Sequence, residues 1–334
     1  MSMLNRRQFL AASGWAGASL ALSGLVTAAG GVQADDPALD ANTFHGLRRY
    51  ARTAFGNIAY VEQGHGAAAL FLHGFPLNGF QWRGALPRLA PYRRCIAPDF
   101  LGMGYTQVAE GQAVGPDDQV GMLLALMDTL GIASADVVAN DSGGAVAQLL
   151  LARHPERVRT LLLTNCDTEI DSPPPALLPV IALAREGRFV EEWLGRWHAD
   201  RTLARSAEGI GGMCYADAAN PSDEAIDTYF GPLLSTQQRT DRAHAYAIAL
   251  SRNALGGTAE ALRASRAPVR VVWGMADTIF APKNVDYLEA AFGNSRGIRR
   301  LVGSKLFWPE ERPDVIAREA MVLWNTWTPV AMRR

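Results

Sequence analysis

Lysine, histidine and cysteine are the scarce residues of this 334-residue chain. Of its 32 basic side chains only two are lysine, Lys283 and Lys305, and the rest are arginine. The six histidines are His45, His65, His73, His154, His198 and His244, so none follows residue 244. The three cysteines, Cys95, Cys166 and Cys214, cannot all pair, and no CxxC or Cys/His spacing joins them. A disulfide framework and a zinc site are therefore not expected, and Cys95 and Cys166, in or beside apolar runs, read as buried thiols. Charge of one sign is also lacking: 33 acids face 32 bases, for a net −1. A nucleic-acid surface needs a clustered basic excess, so no nucleic-acid partner is expected. With 49% hydrophobic and 19% charged residues, the chain is neither disordered nor a collagen-like repeat. No cofactor is expected.

The first 34 residues read as a targeting segment. Arg6 and Arg7 are their only charges, followed by an uncharged stretch of Ala, Gly, Ser and Leu. Asn5-Arg6-Arg7-Gln8-Phe9-Leu10 resembles the twin-arginine export signal, and Val32-Gln33-Ala34 offers small residues for a signal peptidase. The expectation is a periplasmic or secreted protein. The alternative is a membrane anchor, since the uncharged run is long enough to span; contact with a membrane follows only if the segment is uncleaved.

Beyond it, short apolar β-type runs alternate with helix-like segments, which predicts a mostly parallel α/β sheet. Strands are expected at Ile58–Val61, Ala68–Leu72, Arg94–Ala97, Asp136–Ala139, Thr160–Thr164, Arg270–Trp273 and Arg299–Val302. Helices are expected at Gln119–Leu130, Gly144–Arg153, Lys283–Phe292 and Pro313–Trp324. The alternation stops between about Asp167 and Ala267, a helix-like span opening on Pro173-Pro174-Pro175. The expected organisation is a signal segment at 1–34, a core at 43–166 and 268–328, and a helical cap at 167–267 over the sheet's C-terminal edge.

The sharpest local signal is Val137-Val138-Ala139-Asn140-Asp141-Ser142-Gly143-Gly144, a strand, a tight turn and a helix opening with small residues. It resembles the nucleophile elbow of the α/β-hydrolase fold. With Asp141 as nucleophile, Ala139, Gly143 and Gly144 take the places that need small side chains. With Ser142, Asn140 would occupy one of them, so Asp141 is preferred; the bland reading of Asp141 is a helix N-cap. A carboxylate also attacks already ionised, whereas a serine needs a base.

Leu72-His73-Gly74-Phe75-Pro76 resembles the HGxP turn of the same fold. The resemblance assigns two oxyanion-hole N–H groups to Phe75 and Ser142, makes His73 structural, and reads Asp99 as a turn residue. Val272-Trp273-Gly274-Met275-Ala276-Asp277 carries Asp277 where the family's triad acid sits. The last member should be a histidine some seven residues before an Arg-Pro pair, and here the chain departs from the pattern. Gly303-Ser304-Lys305-Leu306-Phe307-Trp308-Pro309-Glu310-Glu311-Arg312-Pro313 puts Leu306 in the histidine's place and Lys305 beside it. Lys305 becomes a candidate base if burial lowers its pKa, although an ion pair with Glu310 would equally account for it. His198 and His244 in the cap are the other candidates.

From about His45 to Trp327 the chain resembles the α/β-hydrolase superfamily, and its Asp nucleophile resembles the haloalkane dehalogenase and epoxide hydrolase branch. The resemblance implies attack by Asp141 on a small apolar electrophile and hydrolysis of the resulting ester by an activated water. It also implies substrate contacts from cap residues: Tyr215, Tyr229 or Tyr246 as proton donors to an opening epoxide, and Trp193 and Trp197 as pocket or halide contacts. Packing at i, i+4 is the plainer explanation of the two tryptophans. Ser142 stands where dehalogenases usually carry tryptophan, and no arginines flank the elbow as in fluoroacetate-type enzymes. Two other readings stay open: a degenerate hydrolase-fold binding protein that lost turnover, and a repurposed lyase.

Overall fold

A computed structural model describes residues 38–326; the twin-arginine segment lies outside the described residues. Nine strands form one mixed sheet: β1 (Arg48–Thr53), β2 (Gly56–Gln63), β3 (Ala68–Leu72), β4 (Arg94–Pro98), β5 (Gln107–Val108), β6 (Ala135–Asp141), β7 (Val158–Cys166), β8 (Val269–Gly274) and β9 (Ser295–Leu301). Their order is β1-β2-β4-β3-β6-β7-β8-β9, with β5 paired to β2. Every pairing from β4 to β9 is parallel, while β1, β2 and β5 pair antiparallel at one edge.

The seven expected strands are all present. Their apolar runs are continuous because helices cover both faces of a parallel sheet, and β3 and β6 are buried at every position. β1 is not expected from apolar runs. Its sequence, Arg-Arg-Tyr-Ala-Arg-Thr, buries only Ala51, as an edge strand with one wet face does. The four expected helices form as α1 (Pro116–Thr129), α2 (Ser142–Arg153), α6 (Lys283–Ala291) and α7 (Pro313–Leu323). All three cysteines are unpaired and buried.

The chain leaves β3 to one side to make β4 and returns on the other side to make β6. The loops after β3 and β6 therefore diverge at the strands' carboxyl ends, where an open α/β sheet forms its ligand crevice.

Helices α3 (Leu178–Arg185), α4 (Asp223–Leu234) and α5 (Gln237–Ala249), with shorter turns among them, fill the span between β7 and β8. They are tied to the loops at the sheet's carboxyl ends: the Asn78 amide donates to the Thr228 carbonyl at 2.8 Å, and the Phe307 N–H to the Cys214 carbonyl at 2.9 Å. The last helix of that span, Ala259–Ala264, instead packs against α2 and α6 on the sheet's flank, burying Leu262. The excursion over the strand ends is thus shorter than 167–267. The reason is an amphipathic final helix that completes the core layer.

Candidate functional site

Asp141 ends β6 and opens α2 with φ 55° and ψ −132°. Only one other non-glycine among the described residues, Asn325, has a positive φ. A conformation so costly for an L-residue persists only where its surroundings over-determine it. Here they do so by close packing. A Cβ on Gly143 would lie 2.5 Å from the His73 carbonyl oxygen, and one on Gly144 would lie 2.3 Å from Cys166 Cβ. The strained residue is thus Asp141, not Ser142. Asn140 is fully buried and donates to Thr164 Oγ1 and to the Leu306 carbonyl, so its amide pins β6 to the loop after β9.

The Phe75 N–H donates to Asp141 Oδ2 at 2.7 Å, and the Ser142 N–H also bonds the carboxylate. Both expected oxyanion donors therefore point at the Asp141 carboxylate, the Phe75 N–H at Oδ2. Burial, and then the carboxylate of Asp167, push the Asp141 carboxyl well above the usual range; the Phe75 N–H opposes this, Asp277 adds to it, and the Ser142 N–H opposes it.

Above Asp141 lies a largely apolar cavity between the strand ends and the cap, as small-molecule sites generally are. Phe75, Ser142, Trp193, Trp197 and Leu306 line it, so these predicted positions are brought together with Asp141. The indole N–H of Trp197 is buried without a hydrogen-bond partner among the described residues. Trp193 and Trp197 also pack on each other, with ring centroids 5.4 Å apart, so packing and pocket lining coexist.

Asp277 is 7% exposed and does not line this cavity. Asn165 donates to its Oδ2 at 2.8 Å and the Ile279 N–H to its Oδ1 at 2.8 Å. Burial raises its carboxyl to about 6 against these opposing bonds. Asp167, which the sequence reading used only as a domain boundary, does line the cavity. It directly follows Cys166, the register partner of Asp141 on the neighbouring strand. Burial raises its carboxyl to about 7, with a hydrogen bond from Ser172 pulling it down. An acid immediately past a strand end was the one signal that could have found it.

Other expectations are corrected. The Lys305 ammonium donates to the Gly212 carbonyl at 2.5 Å, in the helix Ile210–Cys214, and Lys305 does not line the cavity. Nor does it pair with Glu310, which instead bonds Arg83 and accepts from the Tyr215 hydroxyl at 2.6 Å. Tyr215 is thereby held outside the cavity lining, as is Tyr229, whose hydroxyl accepts from Arg83. Tyr246 is buried with its hydroxyl 3.1 Å from Ser142 Oγ and its ring stacked on Phe75. It supports the elbow but does not line the cavity.

No histidine lines the cavity either. His73 is fully buried, with Nδ1 2.9 Å from the Gly74 carbonyl and Nε2 accepting the Phe100 N–H at 3.0 Å, so both ring nitrogens are engaged. Asp99 accepts from the Gly79 and Tyr105 N–H groups, as a turn residue would. His244 accepts the Val190 N–H, and His198 lies 3.0 Å from Asp227.

The family profile for the alpha/beta hydrolase fold matches residues 70–302. Haloalkane dehalogenase 2 of Mycobacterium tuberculosis is 26% identical over 283 residues, covering 80% of this chain and 92% of that protein. A haloalkane dehalogenase of Mesorhizobium japonicum is 43% identical over 108 residues, which span 30% of this chain and only 33% of that protein. Among solved structures, epoxide hydrolase CorEH superposes with a TM-score of 0.69 at 20% identity, covering 83% of this chain and 98% of that one. Haloalkane dehalogenase DbeA of Bradyrhizobium elkani does so with 0.67 at 26% identity, covering 84% and 98%. The chain belongs to the α/β-hydrolase fold family, and the relatives it resembles include haloalkane dehalogenases and an epoxide hydrolase.

Proposed function

We propose that this protein hydrolyses a small apolar epoxide or haloalkane through a covalent ester on Asp141, with a base other than the family's histidine. The observation that carries the reading is the strained Asp141, its carboxylate held by two backbone N–H groups beneath an apolar cavity. That division of labour suits carboxylate attack. Oδ2 keeps its bond from the Phe75 N–H and becomes the ester carbonyl oxygen, while Oδ1 attacks carbon. When water later adds to Cγ, the charge develops on Oδ2, where the Phe75 N–H already stands. Trp193 and Trp197 give the substrate apolar contacts, and the unpartnered Trp197 N–H is suited to a leaving halide or oxygen.

A second reading is a hydrolase-fold protein that binds ligand or stops at the ester. It is favoured by Leu306 at the position where the family's histidine is expected and by a cavity lining without imidazole.

Mass spectrometry after incubation with styrene oxide and bromobutane separates the two. Product release with a transient adduct on Asp141 supports the hydrolase, and a permanent adduct supports the stalled form. The hydrolase reading fails if Asp141 takes no label and Asp141→Asn leaves product formation unchanged. Export through the twin-arginine segment is part of the proposal; recovery of the mature protein in the cytoplasmic fraction alone would contradict it.

A further inference from the structure

We propose that Asp167 is the proton-transfer residue of this site, acting first as acid and then as base toward an epoxide bound over Asp141. The inference rests on the reading of Asp141 as the nucleophile. Three observations carry it. The first is register: Asp141 pairs with Cys166 across the parallel β6–β7 ladder, so Asp167 leaves the adjacent strand at the level of Asp141, and neighbouring strands lie roughly 5 Å apart. The second is lining. Among the described residues, Asp141 and Asp167 are the only carboxylic acids lining the cavity, and no phenol, imidazole or ammonium lines it. The third is elimination of the usual donors. Tyr215 and Tyr229 are committed to the Glu310–Arg83 cluster, Tyr246 lies against Ser142, and Leu306 is apolar.

The groups around Asp167 explain why it holds a proton near neutrality. Asp141 at the end of β6 and Tyr246 from the cap interact with Asp167, Asp277 at the end of β8 interacts with Asp141, and none of these groups is cationic. On its own strand and loop are the Cys166 thiol, the Ser172 hydroxyl and Asp171. Asp171 is itself occupied by Lys283 at 3.5 Å and by the Asn284 amide. Carboxylates that interact within one buried site share protons. Two N–H donors and the N-terminus of α2 favour the charge on Asp141. Burial and the neighbouring acid raise Asp141 as well, so the two carboxyls hold a proton between them; we place it on Asp167, whose carboxyl is raised to about 7, which leaves the charge on the attacking Asp141.

The chemistry then balances without an outside reagent. Asp141 Oδ1 forms a bond to an epoxide carbon, the carbon–oxygen bond breaks, and the opening oxygen takes the Asp167 proton. Asp167, now a carboxylate, takes a proton from water as its hydroxide adds to Asp141 Cγ, placing charge on Oδ2. Collapse breaks the ester bond, the hydroxyl proton passes to the departing alkoxide, and the diol leaves with Asp141 ionised and Asp167 protonated again. A halide needs no proton to leave, so only an epoxide uses both halves of this cycle.

The test compares wild type, Asp167→Asn and Asp167→Glu with styrene oxide and with bromobutane, following the Asp141 ester and released product by mass spectrometry. In wild type, ester formation from styrene oxide should fall as pH rises through about 7, because the acid form is lost. Asp167→Asn should slow that step by about 100-fold at acidic pH, leave labelling by bromobutane undiminished, and let the ester persist. Asp167→Glu should recover the pH dependence. If Asp167→Asn opens styrene oxide and clears the ester as wild type does, Asp167 has no such role while Asp141 keeps its own. If Asp141 is labelled by neither probe in wild type, the nucleophile reading fails and this inference with it. Should Asp167→Asn not fold, a wild-type profile without the fall through neutrality overturns the proposal.

Discussion

Asp167 ionises in the folded protein only near pH 7, because burial strips the carboxylate of water. In the unfolded chain it ionises near its ordinary value of about 3.9. The folded pKa lies above the unfolded one, so the group costs nothing while both states are protonated. Its cost grows as pH rises from about 4 to about 7 and is complete above that, reaching about 4 kcal/mol at roughly 1.4 kcal/mol per unit. Asp167→Asn is therefore expected to melt several degrees above wild type at pH 8, with the gain vanishing by pH 4, as followed by differential scanning calorimetry. At position 306 the side chain is 3% exposed and faces the cavity. Leu306→His would install the family's imidazole there, and is expected to speed hydrolysis of the Asp141 ester severalfold, read as ester lifetime in a stopped reaction. At this scale the sequence was informative wherever chemistry is local. Asp141, Phe75 and Ser142 were legible because a strained turn needs its small neighbours in a fixed spacing. Asp167 was not, because its nearness to Asp141 comes from the β6–β7 register, which spacing along one strand does not encode. The fate of Lys305 likewise depended on a carbonyl 93 residues away.

The elbow and the seam beneath the cap are the elements that hold these residues in place. Gly144 lies in the first turn of α2 directly against β7, so Gly144→Ala would drive its Cβ into Cys166. It is expected to destabilise the fold by about 2–3 kcal/mol and to reduce Asp141 labelling, measured by urea denaturation and by mass spectrometry on the same sample. Glu310, with a side chain 2% exposed, joins Arg83 of the core to Tyr215 of the cap. Removing one partner of a buried ion pair strands the other. Glu310→Ala should therefore cost about 3 kcal/mol and raise hydrogen exchange at 210–216, while leaving the β6 strand protected. Most of these elements were readable from apolar runs, since a parallel sheet demands them on every central strand. β1 was not, because an edge strand buries one residue in six, and its charges resemble a loop.

For the whole molecule, the switch point between β3 and β6 explains why the site lies where it does. Two loops that diverge at the centre of the sheet leave a crevice, and the helices between β7 and β8 roof it with aromatic side chains. The scarcities of the sequence gain a physical meaning in that setting. A cavity with two carboxylic acids and no imidazole must move protons differently from a histidine-based site, or not complete its reaction at all. The most direct measurement of covalent catalysis at Asp141 is a single-turnover reaction with styrene oxide in water enriched in heavy oxygen. The account predicts that the diol gains its new oxygen from Asp141, leaving the heavy isotope in the Asp141 peptide. Heavy oxygen found in the diol, with Asp141 unlabelled, would contradict it.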